Sequence, residues 1–486
     1  MSITHEFHSF YFDQMQTEPV TDDFTLPPGT EIDADLLQRL IDEHINSHLP
    51  RLAYLAAAYE TKYGIFGRDK KPDYKPDHRL AADMTFAITE TFEGYFIGIP
   101  VDLQCNDEAS AEYLQSYMRR NHQDDTDAEL SKMCSKFGVS YEMFYQDEEG
   151  QPRSVAVSPL TSFMIYDNSV LKRKMAFVRY AYDEEGRIVG SFSDADNVYP
   201  FDNSTGTLVV GEPESHFFKE VPAVCFLQNS ERRGLYEGVL NLIEEYNAVI
   251  SEKANDVDYF SDAYMVVEGT ELPDDFKKDL RDYKLINLFN TQNDAPVKVY
   301  FLAKPDADVS QENLVNRLEM LIFKMAMVPD ITDESFSTAS GIALKMRLMP
   351  MSNLARNKER KFVRGIQDRL RILANYPNQP FTDWESVEIK MHRNMPEDLA
   401  AEASVAGSLS GIVSEETQLS ILSCVDDPVM EIERKNSERE ERAQASGGYP
   451  TNRVPMESEQ ERSDSDDGSS LQADQEGPQA QRQGRA

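Results

Sequence analysis

Between residues 31 and 137 apolar positions recur with a helical period. Leu36, Leu37, Leu40, Ile41 and Ile45 share one face of a first helix, which Pro50 is expected to break. A basic, proline-punctuated loop (GRDKKPDYKPDHR) leads to a second helix ending near Gly94 and Gly98. Two shorter helices follow, the last with Asp and Thr at its start as caps (DTDAEL). From about 138 to 228 the period drops to two. Apolar runs flank residues 147–150 and again 183–186, so both read as hairpins with acidic, glycine-containing turns. Helices return at 234–269, with Val239, Ile243, Tyr246 and Ile250 on one face. A small mixed unit at 269–305 combines one helix with the strands KLINLF and VKVYFL. A helix stopped by Pro329 comes next, then a polar loop. From Gly341 to about Tyr376 the pattern is helical again, with Leu354, Phe362, Ile366, Leu370 and Leu373 on one face and a bend or break at Pro350. A strand (SVEIKMHR) and helices with a restart at Ser414 close the ordered part. The reading is α+β, mainly helical, with an antiparallel β insert. Residues 1–30 read as a poorly ordered arm and residues beyond about 445 as a disordered acidic tail.

Composition changes this picture in one respect. The chain has 486 residues and a net charge of −37. Such a surface does not adsorb nucleic acid or anionic membrane non-specifically. The length allows several packed units, while 40% hydrophobic residues is low for one compact globule. The four cysteines, at 105, 134, 225 and 424, form no CxxC and read as buried reduced thiols. The first residues have neither a basic n-region nor an apolar h-region, so no signal peptide is read, and no apolar run is long enough to span a membrane.

Catalytic signatures are missing from the sequence: no GxxxxGK[ST], no GxGxxG after a strand, no GxSxG. His44 and His48, at i and i+4, read as solvent-facing residues of an amphipathic helix rather than a metal pair, since no third ligand lies nearby. The chain is therefore read as non-enzymatic, with no cofactor and no metal.

The loop PDITDESFSTAS (329–340) and the helix after it stand out. The loop offers Asp330, Thr332, Asp333, Ser335, Ser337, Thr338 and Ser340, all small and polar. The helix carries Lys345, Arg347, Arg356, Lys358, Arg360, Lys361, Arg364, Arg369 and Arg371 against Glu359 and Asp368, about +7 in a −37 chain. One reading is a solvated face paired with acidic neighbours or neighbouring subunits; the other is contact with phosphates.

Four stretches, in this order, resemble one family: GYFIGIPVDL (94–103), GLYEGVLNLIEEYNAVISEKANDVDYFSDAYMVVEG (234–269) with its YN…S…D spacing, STASGIALKMRL (337–348), and GIVSEETQLSILSCVDDPVMEIERKNSERE (411–440). The chain resembles the tailed-bacteriophage portal protein, or head-to-tail connector, of long-tailed phages from Gram-positive hosts, over roughly residues 30–440. The resemblance implies an elongated subunit in a ring homo-oligomer, usually of twelve copies, at one capsid vertex of the virion, assembled in the host cytoplasm. The ring would be the channel for double-stranded DNA packaging and ejection. Its partners would be terminase, the major capsid and scaffolding proteins, and head-completion or tail adaptor proteins, with no membrane. The resemblance also implies regions: a flexible arm (1–30), a wing of helices and β insert (31–233), a first stem helix (234–260), a clip (261–308), a second stem helix (309–328), a tunnel loop (329–340) lining the channel, a long helix returning to the wing (341–392), a crown (393–442) and an acidic tail (443–486). Lys345, Arg347, Arg356, Lys358, Arg360 and Lys361 would then face phosphate or a neighbouring subunit. Lys277, Lys278, Asp279 and Arg281 would offer a clip surface to partners. The competing expectation is a DNA-processing accessory protein or enzyme that binds DNA through its basic helix.

Overall fold

The computed structural model describes residues 23–72, 75–204, 206–261, 265–269, 285–288, 297–301, 308–331, 341–395, 399–422, 424–425 and 427–446. The chain forms two compact units, Met1–Pro396 and Glu397–Ala486.

The first unit opens with β1 (Phe24–Leu26), inside the segment expected to be unstructured through residue 30. Phe24 explains the difference: it is buried, with its ring 4.4 Å from that of Phe163. α1 (Ala34–Glu43) starts at Asp33, whose carboxylate accepts the Leu36 N–H at 2.8 Å, and it buries Leu37, Leu40 and Ile41 as their spacing predicts. Pro50 does not break this helix. The chain widens at His44–His48, where the Leu49 N–H reaches back to the His44 carbonyl, and continues as α2 (Leu49–Tyr59). Proline lacks an N–H and crowds the carbonyl four residues back; one widened turn relieves both problems.

His44 corrects a second expectation. It is buried rather than solvent-facing: Nε2 lies 3.1 Å from the Pro159 carbonyl and Nδ1 2.8 Å from the Tyr180 hydroxyl. A carbonyl only accepts, so Nε2 carries the proton and Nδ1 accepts from Tyr180. Burial, with His48 adding to it, pushes the His44 pKa down to about 3, so the ring is neutral.

α3 (Met84–Ile97), β2 (Asp102–Gln104), α4 (Glu108–Asn121) and α5 (Gln123–Phe137) follow. A single residue, His122 at φ 47°, joins α4 to α5. α5 therefore begins ahead of the Asp/Thr pair expected to cap it. The strands come next: β3 (Val139–Gln146), β4 (Pro152–Val157), β5 (Ser162–Asp167), β6 (Lys174–Tyr182), β7 (Ile188–Ser193), β8 (Asn197–Asp202), β9 (Val209–Val210), β10 (Glu214–Ser215) and β11 (Ala223–Leu227). One sheet has the order β1-β5-β6-β7-β8-β10, with β9 on β8, and a second has the order β11-β3-β4. Only β1 joins its neighbour in parallel within these two sheets. Both expected hairpins are present and share one device. Asp147 Oδ1 accepts the N–H groups of Glu149 and Gln151, and Asp183 Oδ1 accepts those of Glu185 and Arg187. Gly150 and Gly186 then close the two turns at φ 70° and 79°. These backbone bonds, with Arg153 on the first and Arg187 on the second, hold both carboxyls below the usual range.

α6 (Leu240–Ser261) leads into a small sheet of order β13-β12-β14, made of β12 (Met265–Glu268), β13 (Leu285–Leu288) and β14 (Lys298–Phe301). α7 (Asp308–Ala326) and α8 (Gly341–Ala374) follow, and α8 runs through Pro350 without a break. β15 (Glu388–Lys390) pairs with β2. The main core lies where α2, α3, α5 and α8 meet β3 and β11, through Phe92, Phe96, Phe137, Phe144, Phe226 and Phe362. A separate cluster joins α1 to the larger sheet through Leu37, Ile41, Phe163 and Val178. Of the four free thiols only Cys134 is buried, where desolvation pushes its pKa up to about 11; Cys424 is exposed, against expectation.

The second unit is helical among its described residues: α9 (Leu399–Ser408), α10 (Glu415–Leu419) and α11 (Pro428–Ser446). Ser414 caps α10 through the Thr417 N–H at the expected restart, and Lys435 binds Glu415 at 2.5 Å. The fold is α+β and mainly helical. No described helix is long and apolar enough to cross a membrane.

Candidate functional site: the basic helix and its two ends

α8 carries the basic residues singled out from the sequence, and helical geometry sorts them. At 3.6 residues per turn, Lys345, Met349, Asn353, Arg356, Arg360 and Arg364 lie on one face, and all are exposed. The opposite face buries Met351, Ala355, Phe362, Ile366 and Leu370. At Gly365 the helix rests directly on the Phe226 ring, where a Cβ would come within 2.5 Å of ring carbons.

Two of the cations point into that buried face. Lys358 has no exposed surface. Its ammonium donates to Glu93 Oε1 at 2.6 Å, to the Ser131 carbonyl at 3.0 Å and to Ser135 Oγ at 3.0 Å, and lies over the Phe92 and Phe96 rings. All three ammonium protons are thus used. Glu93 in turn accepts from the Ser131 and Ser135 hydroxyls. Lys358 therefore faces neither a phosphate nor a neighbouring subunit, contrary to expectation. The desolvation of an ammonium requires these partners, and no other ligand reaches it.

Arg369, three turns further along α8, bridges Asp127 and Glu142, with Nε 2.8 Å from Glu142 Oε2. Gln123 donates to both carboxylates at 3.1 Å. Two carboxylates share one guanidinium. Burial accordingly raises the Glu142 pKa, Arg369 opposes that rise, and the Asp127 charge adds to it. Arg371 is also committed, to Glu220 at 2.9 Å and Asp368 at 2.7 Å. By contrast, Lys345, Arg356, Arg360, Lys361 and Arg364 form no hydrogen bond or ion pair with a described residue. Arg347 is exposed too.

At its N-terminal end α8 meets α7 around a groove of about 610 Å³, lined by Met320, Phe323, Met327, Asp330, Arg347 and Pro350 among others. Asp330 is half-buried there. The remaining loop residues, Thr332, Asp333, Ser335, Ser337, Thr338 and Ser340, lie outside the described residues. So do Lys277, Lys278, Asp279 and Arg281.

The family model described as phage portal protein, SPP1 Gp6-like, matches residues 38–445. The chain belongs to this family. The portal protein of Bacillus phage SPP1 is 24% identical over 462 residues, covering 86% of this chain and 88% of the relative. The portal protein of Clostridium phage phiCD119 is 24% identical over 394 residues, covering 75% and 85%. Among solved structures, the chain is similar to the neck of a native GTA particle at a TM-score of 0.44 and 9% identity, covering 76% of this chain and 93% of the other. It is similar to the neck of an empty GTA particle at 0.41 and 10%, covering 69% and 89%.

The portal-like YN…S spacing in α6 has a structural reason that sequence reading did not supply. Asn247, Ser251 and Asn255 are buried four residues apart on one face. Asn247 Oδ1 accepts the Ala82 N–H at 2.8 Å, Ser251 Oγ that of Leu80 at 2.9 Å, and Asn255 Oδ1 that of His78 at 2.6 Å. Two residues of extended chain rise about 6.6 Å and four residues of helix about 6 Å, so the extended segment 78–82 and the helix stay in step. The signal was a four-residue repeat of small polar residues in an otherwise amphipathic helix. In the GYFIGIP motif, Gly98 serves a close approach: a Cβ there would come within 2.2 Å of the Gly94 carbonyl oxygen and 2.9 Å of the Asn394 side chain.

Proposed function

We propose that this chain is the portal subunit of a tailed phage. It assembles as a ring homo-oligomer at one capsid vertex and forms the channel for double-stranded DNA packaging and ejection. It docks terminase first and head-completion or tail adaptor proteins later, with capsid and scaffolding proteins around it, and performs no catalysis of its own. The observation that carries this reading is the family match from α1 into α11. Portal proteins are structural components of the virion.

The physical chemistry fits a conduit. Each firm phosphate contact adds salt-sensitive affinity, so a predominantly acidic wall lets the duplex slide. Residues 329–340 act as the tunnel loop: Asp330, Thr332, Asp333, Ser335, Ser337, Thr338 and Ser340 follow the passing duplex without holding it. The small sheet belongs to the clip. Its edge strand β14 exposes Val299 and Tyr300, preceded by exposed Val297, which suits docking by a partner chain. Lys277, Lys278, Asp279 and Arg281 supply polar contacts in the same region.

Particle images of the purified chain should show rings with a central hole. A protein that stays monomeric at every concentration overturns the reading. Deleting residues 332–338 should leave the rings intact and impair DNA packaging; loss of assembly would make the loop structural instead.

A further inference from the structure

We propose that the exposed face of α8 is one half of the seam between neighbouring copies in the ring, covered there by an acidic surface of the second copy. This rests on the ring reading above and names which surface of the subunit is used. From Lys345 to Arg364 the face runs about 29 Å along the helix. Arg356, Arg360 and Arg364 stand at successive i, i+4 positions and have no partner among the described residues. Like charges at that spacing repel, and none of the three arginines forms an ion pair with a described residue.

The same face is apolar at its other end. Met346 is 67% and Met349 53% exposed, next to the groove where Met320 and Met327 are 56% and 50% exposed. Methionine and arginine are enriched at protein interfaces, around an apolar centre. A closed ring needs two different, complementary patches on each subunit. In a chain of net charge −37, the surface offered by a second copy is predominantly acidic. Two such copies repel unless one of them presents a basic strip. Duplex DNA is the competing anion, but a phosphate backbone leaves Met346 and Met349 in water, whereas a protein surface covers them.

The test uses the full chain with Arg356→Glu, Arg360→Glu and Arg364→Glu combined, and separately with Met346→Ser and Met349→Ser. Thermal unfolding establishes that each variant folds, and mass photometry across a concentration series reads assembly. The charge-reversed chain should fold as the parent does but need about 30-fold more protein, or higher, to form rings. The serine variant should need about tenfold more. A photo-crosslinking side chain at Asn353 should attach to an acidic stretch of a second copy.

Rings forming at the parent's concentration in the charge-reversed chain would overturn the seam while leaving the ring reading intact. Unchanged assembly with weaker, less salt-dependent binding of duplex DNA would assign the face to phosphates and also overturn it. A parent chain that never assembles removes the ring reading, and the seam with it.

Discussion

Lys358 and Arg356 are two residues apart on α8, and their surroundings have nothing in common. Lys358 sits among Glu93, two serines and two phenylalanine rings with every proton used. Arg356 is exposed and has no partner among the described residues. The buried face, with Lys358 and Arg369, uses cations to hold α3, α5 and β3 to the helix. The exposed face leaves Arg356, Arg360 and Arg364 without a partner among the described residues. A charge count along the sequence therefore overstates what α8 can offer an anion, because azimuth rather than residue type decides which cation is available.

Removing the buried cations should have the largest effects. Lys358→Met leaves Glu93 buried and unpaired, and should cost about 3–5 kcal/mol, read from urea unfolding followed by Trp384 fluorescence. Trp384 packs on the same core and is the single tryptophan, so it reports the right region. Adding Glu93→Leu should recover most of the loss, since a well-packed apolar pair replaces a buried ion pair at little cost. A loss under about 1 kcal/mol for the single change would mean that Lys358 reaches solvent.

Arg369→Leu should cost a similar amount at pH 7, and its cost should depend on pH. Without the guanidinium, two buried carboxylates face each other. Glu142, already raised by burial, rises further. In this variant the folded state binds more protons than the unfolded state between the ordinary carboxylate value and the raised one. Stability is then retained below that ordinary value and lost as pH rises through the window, so the gap between variant and parent should narrow toward pH 5. A gap that stays constant from pH 7 to 5 would locate the charge elsewhere.

The contrast extends to buried polar groups without charge. Asn247→Ala strands the Ala82 N–H and Ser251→Ala strands that of Leu80. Each should cost about 1–3 kcal/mol and raise hydrogen exchange in 78–82 before the rest of the unit. His44 is the buried group that must stay neutral. Its pKa near 3 lies below the ordinary 6.5, so the unfolded chain binds the extra proton as pH falls. The stabilisation is complete above pH 6.5 and disappears between there and 3. Between pH 7 and 5 the parent should lose about 2 kcal/mol that His44→Phe does not lose.

Much of this architecture was legible in the chain. The helical stripes, both acidic hairpins, the strands at 285–288 and 298–301 and the Ser414 cap follow from local periodicity and turn chemistry, which act over a few residues. Three features were not legible, because each depends on a distant partner. β1 exists because Phe24 finds Phe163. His44 is buried because Tyr180 and Pro159 satisfy its two nitrogens. Lys358 turns inward because Glu93, far back in the sequence, waits for it. For the candidate site, the excess positive charge of α8 was visible, but its division into core and surface was not. That division could have been suspected from one clue: Lys358 and Arg369 occupy the apolar stripe with Phe362 and Ile366, whereas Arg356, Arg360 and Arg364 do not.

The smallest predicted effect has the opposite sign to the largest. Arg356→Gln, Arg360→Gln and Arg364→Gln remove side chains that touch no described partner, so each alone should change subunit stability by no more than about 0.5 kcal/mol. The three together relieve two like-charge pairs at i, i+4, each unfavourable by about 0.2–0.5 kcal/mol in a helix. The triple variant should therefore be slightly more stable than the parent as a subunit, with the gain fading as added salt shortens the screening length. A measurable loss, insensitive to salt, would mean that these arginines hold the fold as Lys358 does, and the two faces of α8 would no longer differ in kind. A small salt-sensitive gain would leave three arginines that cost the subunit stability, and their offset would have to come from whatever covers that face in the assembly.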